Sequence, residues 1–217
     1  MARKLCAEFV GSLLLAACVV GSGIMAERMA GGNAAVVLLA NTLATMAVLA
    51  ALISSLGPIS GAHFNPVVTI AAIGLRRLDP ALGAAYVITQ MAGCCAGAML
   101  ANAMFELPLI APSMHARSGA AQWLSEVVAT VGLVLVAFRA ASFREAAWRV
   151  ALWIGAAYWF TASTSFANPA ITIGRALSDT FAGIRPVDVP GFIGAQLVGA
   201  VLGVLLYRVL AEPREAA

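Results

Sequence analysis

Two Asn-Pro motifs, Asn65-Pro66-Val67 and Asn168-Pro169-Ala170, lie inside strongly apolar stretches and in matching surroundings, GAHFNPVVTI and SFANPAITIG, 103 residues apart. A proline cannot continue an existing helix, but it suits the first turn of a new one, and asparagine is a strong N-cap just before it. Each motif therefore marks the start of a short helix at a depth where a spanning helix would otherwise run on.

The depth follows from composition. Of 217 residues, 62% are hydrophobic and only 11% charged, which leaves too little polar surface for a soluble domain and points to an all-α integral membrane protein. Stretches of roughly 20 residues, enough to cross a bilayer, fall near Cys6 to Ala26, Ala34 to Leu56, Ala81 to Phe105, Gln122 to Phe138, Ala147 to Ala162 and Pro190 to Leu206. Six transmembrane helices are expected. The apolar segments His63 to Leu75 and Asn168 to Leu177 are about half a span long, which reads as re-entrant. Lys and Arg in the connections set orientation: with the N-terminus inside, Arg3, Lys4, Arg76, Arg77, Arg139, Arg144, Arg149, Arg208 and Arg214 are cytoplasmic, against Arg28, Arg117, Arg175 and Arg185 outside. Both termini are expected in the cytoplasm, with the protein multi-pass in the inner (plasma) membrane. This bias accounts for the net charge of +3, so no nucleic-acid partner is implied.

Two smaller signals need weighing. Leu15-Ala16-Ala17-Cys18 mimics a lipoprotein cleavage box, but cleavage there would delete half of a span that has a counterpart in the second half of the chain. Cys6, Cys18, Cys94 and Cys95 lie in apolar helices without metal-ligand spacing and read as buried structural thiols. No metal or cofactor is expected, and without a nucleophile beside a base there is no catalytic residue to assign.

Laid over one another, the halves share three landmarks in order: CAEFVGS against LSEVVAT, the Asn-Pro motifs, and VITQMAGCCAGA against IGAQLVGAVLG. Glu8 matches Glu126, Asn65 matches Asn168 and Gln90 matches Gln196, at offsets of 118, 103 and 106. Residues 1–217 thus form one channel domain, with repeat 1 over about 5–105, a linker over 106–121 and repeat 2 over about 122–210. Three spans per repeat is an odd number, so the second copy is inverted and the half-helices enter from opposite faces. Irregular backbone at that depth must line a cavity or be buried in protein. Two helix N-termini meeting at the midplane raise the potential there and repel cations, while the Asn65 and Asn168 amides can donate hydrogen bonds to a neutral solute.

These residues, together with Ile59-Ser60-Gly61-Ala62-His63 before the first motif, resemble the aquaporin and aquaglyceroporin superfamily, the major intrinsic proteins, over Ala7 to Leu206. The resemblance implies six spans with two half-helices, a pore in each subunit and a homotetramer in the lipid bilayer. Most members carry Ala where this chain has Val67, and an Arg where it has Ile171. By the family's spacing, Thr45, Ala156 and Ser165 complete the selectivity filter with Ile171; a small shift of the intervening loop would bring Ala157 or Tyr158 to the place of Ala156. This filter has neither Arg nor a large aromatic, and it resembles those of bacterial metalloid-conducting relatives. It implies a wide, passive route for small neutral solutes such as arsenous acid and glycerol, with water alongside. Arg175, one turn past Ile171, reads as a vestibule charge pairing with Asp179 at i+4 rather than as a substitute guanidinium.

Glu8 and Glu126 read as structural acceptors for loop backbone groups, and Gln90 and Gln196 as bundle-internal hydrogen-bonding groups. His63 is placed on the cytoplasmic approach to the pore, and His115 in the outer loop. Gly93, Gly97, Gly199 and Gly203 fit close helix packing. The rival readings are a channel mainly for water, a proton-coupled transporter using Glu8 and Glu126, and a junction protein with a closed pore.

Overall fold

Five of the eight α-helices start where a side chain supplies an acceptor for their orphan N–H groups. In the computed structural model, which describes residues 1–211, Asn33, Asp79 and Ser142 cap α2 (Ala34–Ser60), α4 (Pro80–Met104) and α6 (Phe143–Phe160). Asn65 and Asn168 cap the short α3 (Pro66–Gly74) and α7 (Pro169–Arg175), with proline at the first helical position of each. The remaining long helices are α1 (Ala2–Met29), α5 (Ala120–Phe138) and α8 (Val189–Leu210). Arg214 lies outside the described residues.

Six long helices and two half-helices therefore stand where the sequence placed them, in an all-helical membrane fold. Five of the long ones are apolar and long enough to span a bilayer by themselves. The sixth, α6, has 18 residues and starts with Arg144, Glu145 and Arg149, of which Glu145 and Arg149 form an i,i+4 ion pair. It packs along α2 and α5.

The packing repeats between halves. Helix α1 lies against α4 and α2, as α5 lies against α8 and α6. Each half-helix reaches across: α7 packs on α4, and α3 on α8. Close approach depends on glycine, because lipid offers no hydrophobic drive and backbones must meet directly. A Cβ on Gly93 would come 2.6 Å from Phe9 O, and one on Gly199 2.7 Å from Val127 O. Of the four cysteines, only Cys94 is fully buried, its Sγ donating to Ser12 O at 3.7 Å. Cys6 is exposed and Cys18 and Cys95 are half-buried, so burial of all four, expected from the sequence, does not hold.

The long linker is not slack. Ala111 N and Ser113 N donate to Leu177 O and Ala176 O, and Arg185 N donates to His115 O. Arg117 is buried: its guanidinium donates to Gly183 O, Ser163 O and Phe181 O, and its backbone N–H to Asp188 Oδ2. Burial pulls its pKa down to about 10, against the pull of Glu126 upward, so it stays cationic at neutral pH. The sequence placed Arg117 in the outer connection; within that connection three backbone carbonyls keep its side chain buried.

Candidate functional site

A cavity of about 670 Å³ runs between the repeats, bounded by Arg77 and Phe143 at one mouth and by Arg175 and Phe166 at the other. Its wall is written in steps of four residues: Leu15 and Val19 on α1, Leu133 and Ala137 on α5, and Ala146, Val150, Ile154 and Tyr158 on α6. That spacing keeps side chains on one helix face.

Asn65 and Asn168 meet at the centre of this wall. Asn65 Oδ1 accepts from Val67 N at 3.0 Å, and Asn168 Oδ1 from Ala170 N at 3.0 Å and Ile171 N at 3.2 Å. Each amide also donates across the repeat boundary: Asn65 Nδ2 to Ala167 O at 2.8 Å, and Asn168 Nδ2 to Phe64 O at 2.9 Å. An amide has two N–H groups, so one remains on each for a solute. Pro66 and Pro169 fix the first turns. Val67 and Ala170 are fully buried but off the cavity wall. The departure from Ala at Val67 therefore does not touch the pore wall; its neighbour Val68, about 100° round the helix, faces the cavity.

The loops leading to the two motifs adopt the same strained path. Ala62 and Phe64 have φ of 50° and 49°, and their counterparts Ser165 and Ala167 52° and 45°. Left-handed non-glycine residues cost on the order of 1–3 kcal/mol each, and two buried carboxylates hold them. Glu8 Oε1 accepts from Ser60 Oγ at 2.6 Å and His63 N at 3.0 Å, and Oε2 from Phe64 N and Gln90 Nε2, both at 2.8 Å. Glu126 Oε1 accepts from Ser163 Oγ at 2.6 Å and Phe166 N at 2.9 Å, and Oε2 from Ala167 N at 2.8 Å and Gln196 Nε2 at 2.6 Å. The glutamine amides also donate to Thr69 and Thr172 on the half-helices. Both glutamates are fully buried and neither lines the cavity.

His63 lines the Arg77 side of the cavity, its Nδ1 3.0 Å from Thr69 Oγ1 and its ring edge-on to Tyr86. Thr45, Ser165 and Ile171 line the other side. Ala156 does not: it is exposed on the outer face of α6. It lies two residues, about 200°, from Tyr158, which faces the cavity and shares a hydrogen bond of 3.2 Å with Thr45 Oγ1. The four-residue step on α6 is the signal that would have found Tyr158.

Arg175 is a second correction. It is 2% exposed and lines the cavity. It makes no ion pair with Asp179, whose Oδ1 accepts from Met114 N. Its Nε donates to Ala182 O, and its guanidinium carbon lies 3.4 Å from the centre of the Phe166 ring. The wall near Ile171 thus includes a tyrosine, the alternative left open to Ala156, and an arginine without the ion pair expected for it. No cluster of metal-ligating side chains occurs among the described residues.

The sequence model of the family described as Major intrinsic protein matches residues 1–146. The chain is 52% identical over 215 residues to Aquaglyceroporin AqpS of Rhizobium meliloti (strain 1021), covering 98% of this chain and 92% of that protein. It is 31% identical to Aquaporin A of Dictyostelium discoideum, over 95% of this chain and 78% of that one. The X-ray structure of the aquaglyceroporin from Plasmodium falciparum superposes with a TM-score of 0.76 at 17% identity, covering 99% and 98% of the two chains.

Proposed function

The chain belongs to the major intrinsic protein family, and within that family of channels we propose a passive pore that admits neutral solutes larger than water. As a multi-pass membrane channel for water or glycerol-like solutes it is not an enzyme. The observation that carries the finer reading is Ile171 on the cavity wall, directly after the second motif, where most relatives have an arginine. An uncharged, branched side chain there leaves room for polyols such as glycerol and for undissociated metalloid hydroxides such as arsenous acid. The similarity to an aquaglyceroporin supports that solute class.

The channel reading is favoured over a proton-coupled transporter by Glu8 and Glu126. Each carboxylate has its oxygens taken by four donors and is cut off from the cavity, so neither is placed to exchange a proton with the transport path. The excess of Lys and Arg on the loops beside Arg77 supports placing that mouth at the cytoplasm and the Arg175 mouth outside. Assembly as a homotetramer, each subunit with its own pore, completes the proposal.

Ile171→Arg tests the filter. Glycerol and arsenous acid flux through purified protein in liposomes should fall at least about tenfold, equivalent to about 1.4 kcal/mol of barrier, with water flux reduced much less. Solute selectivity identical to the parent channel would remove Ile171 from the filter.

A further inference from the structure

The two half-helices can be read against each other residue by residue. At the offset of 103, Val68 corresponds to Ile171, Ala72 to Arg175 and His63 to Phe166. All six line the cavity, so the face of each half-helix that looks into the pore carries two consecutive positions four residues apart. In the first repeat the outermost of these is the small Ala72. In the second it is Arg175, one turn or about 6 Å beyond Ile171.

The side chain is held there by design of the surrounding loops. Phe166, beneath the guanidinium, is itself edge-on to Phe192 at 5.0 Å between ring centres. The Arg117 guanidinium lies 5.1 Å from the same ring, anchored by its three carbonyls. Ala182 O takes the Nε proton. Neither Nη of Arg175 has a hydrogen-bond partner among the described residues, and neither is sealed from open space, so their N–H groups are available to the cavity. The same cavity is lined by Tyr158 and Thr45, whose hydroxyls share a hydrogen bond, and by Ser165, whose buried Oγ has no partner among the described residues.

We propose that Arg175 is the specificity-determining cation of the outer mouth, donating to acceptor oxygens of neutral solutes and turning back cations one helical turn outside the position that Ile171 occupies. This rests on the channel reading above. Its consequence is that size and charge are sorted at different depths. The Ile171 level is left wide because no guanidinium crosses it, and the charge barrier stands farther out, where a flattened, stacked guanidinium does not obstruct the bore. Solutes of polyol or urea size that carry an acceptor oxygen are the class this arrangement takes.

Urea and guanidinium, nearly identical in size and different in charge, separate the two functions. The full chain in liposomes should take up labelled urea and exclude labelled guanidinium. Arg175→Met should raise guanidinium uptake at least about tenfold, the effect of about 1.4 kcal/mol, with urea uptake changed much less, and Arg175→Lys should restore exclusion. If the methionine variant does not give a monodisperse channel, Arg175→Gln, which keeps an amide donor for Ala182 O, carries the same comparison. Unchanged guanidinium exclusion in a neutral variant that still passes urea would overturn the role of Arg175. Absence of both urea and glycerol flux in the parent protein would instead overturn the channel reading, and this proposal with it.

Discussion

Replacing Glu126 by alanine should prevent the second repeat from keeping its half-helix in place, with a loss of stability above about 3 kcal/mol. Four donors lose their acceptor at once: Ser163 Oγ, Phe166 N, Ala167 N and Gln196 Nε2. Each buried group left unsatisfied costs about 1–3 kcal/mol. The two backbone groups cannot turn elsewhere, because the left-handed backbone of Ser165 and Ala167 is what aims them. Glu126→Gln should be damaging too, since the new NH2 would face donors rather than acceptors. Thermal unfolding of purified protein in detergent reads both effects, and Glu8→Ala should behave as the counterpart in the first repeat. A Glu126→Gln protein as stable as its parent, but with gradient-dependent uptake abolished, would instead make this residue a proton site.

A comparable effect is expected where helices touch. Gly93→Leu drives a side chain into Phe9 O, which even a Cβ would approach to 2.6 Å, and into Ser12 Cβ at 2.9 Å. Overpacking ordinarily costs about 1–3 kcal/mol, and a backbone carbonyl inside a helix cannot step aside. The α1–α4 pair should separate, with at least about 3 kcal/mol lost and the monodisperse fraction falling in size-exclusion chromatography. Gly194→Leu is the control: open space surrounds its Cβ direction, and its profile should match the parent. Equal profiles for both variants would mean that the α1–α4 contact is not set by glycine.

The architecture was legible in the sequence because its strongest constraint is chemical rather than statistical. Proline after asparagine in an apolar run can only start a helix, and two such starts in inverted copies leave few arrangements. The partnership of Glu8 with Gln90, and of Glu126 with Gln196, was legible only as a recurrence. The donors that fill each carboxylate come from irregular loops whose left-handed residues, Phe64 and Ala167 among them, are not of the types that announce such turns. Ala156 was misplaced because its position was counted back from Asn168 across a loop, whereas the pore face of α6 is fixed by its own four-residue step from Ala146 to Tyr158. Arg175 carried a usable signal, four residues after Ile171 on the same face, but i,i+4 pairing with Asp179 offered a competing use for it. The burial of Arg117 had no sequence signal, since the carbonyls that receive it belong to two segments, on either side of α7, each more than 40 residues away.

Neutral solutes larger than water should cross this protein down their own gradient. Stopped-flow light scattering of proteoliposomes under an inward glycerol gradient, with and without a protonophore, tests it most directly. Rapid glycerol re-swelling at a rate indifferent to the protonophore is the predicted result. Glycerol entry no faster than in empty liposomes, or entry that vanishes when the proton gradient is collapsed, would contradict it.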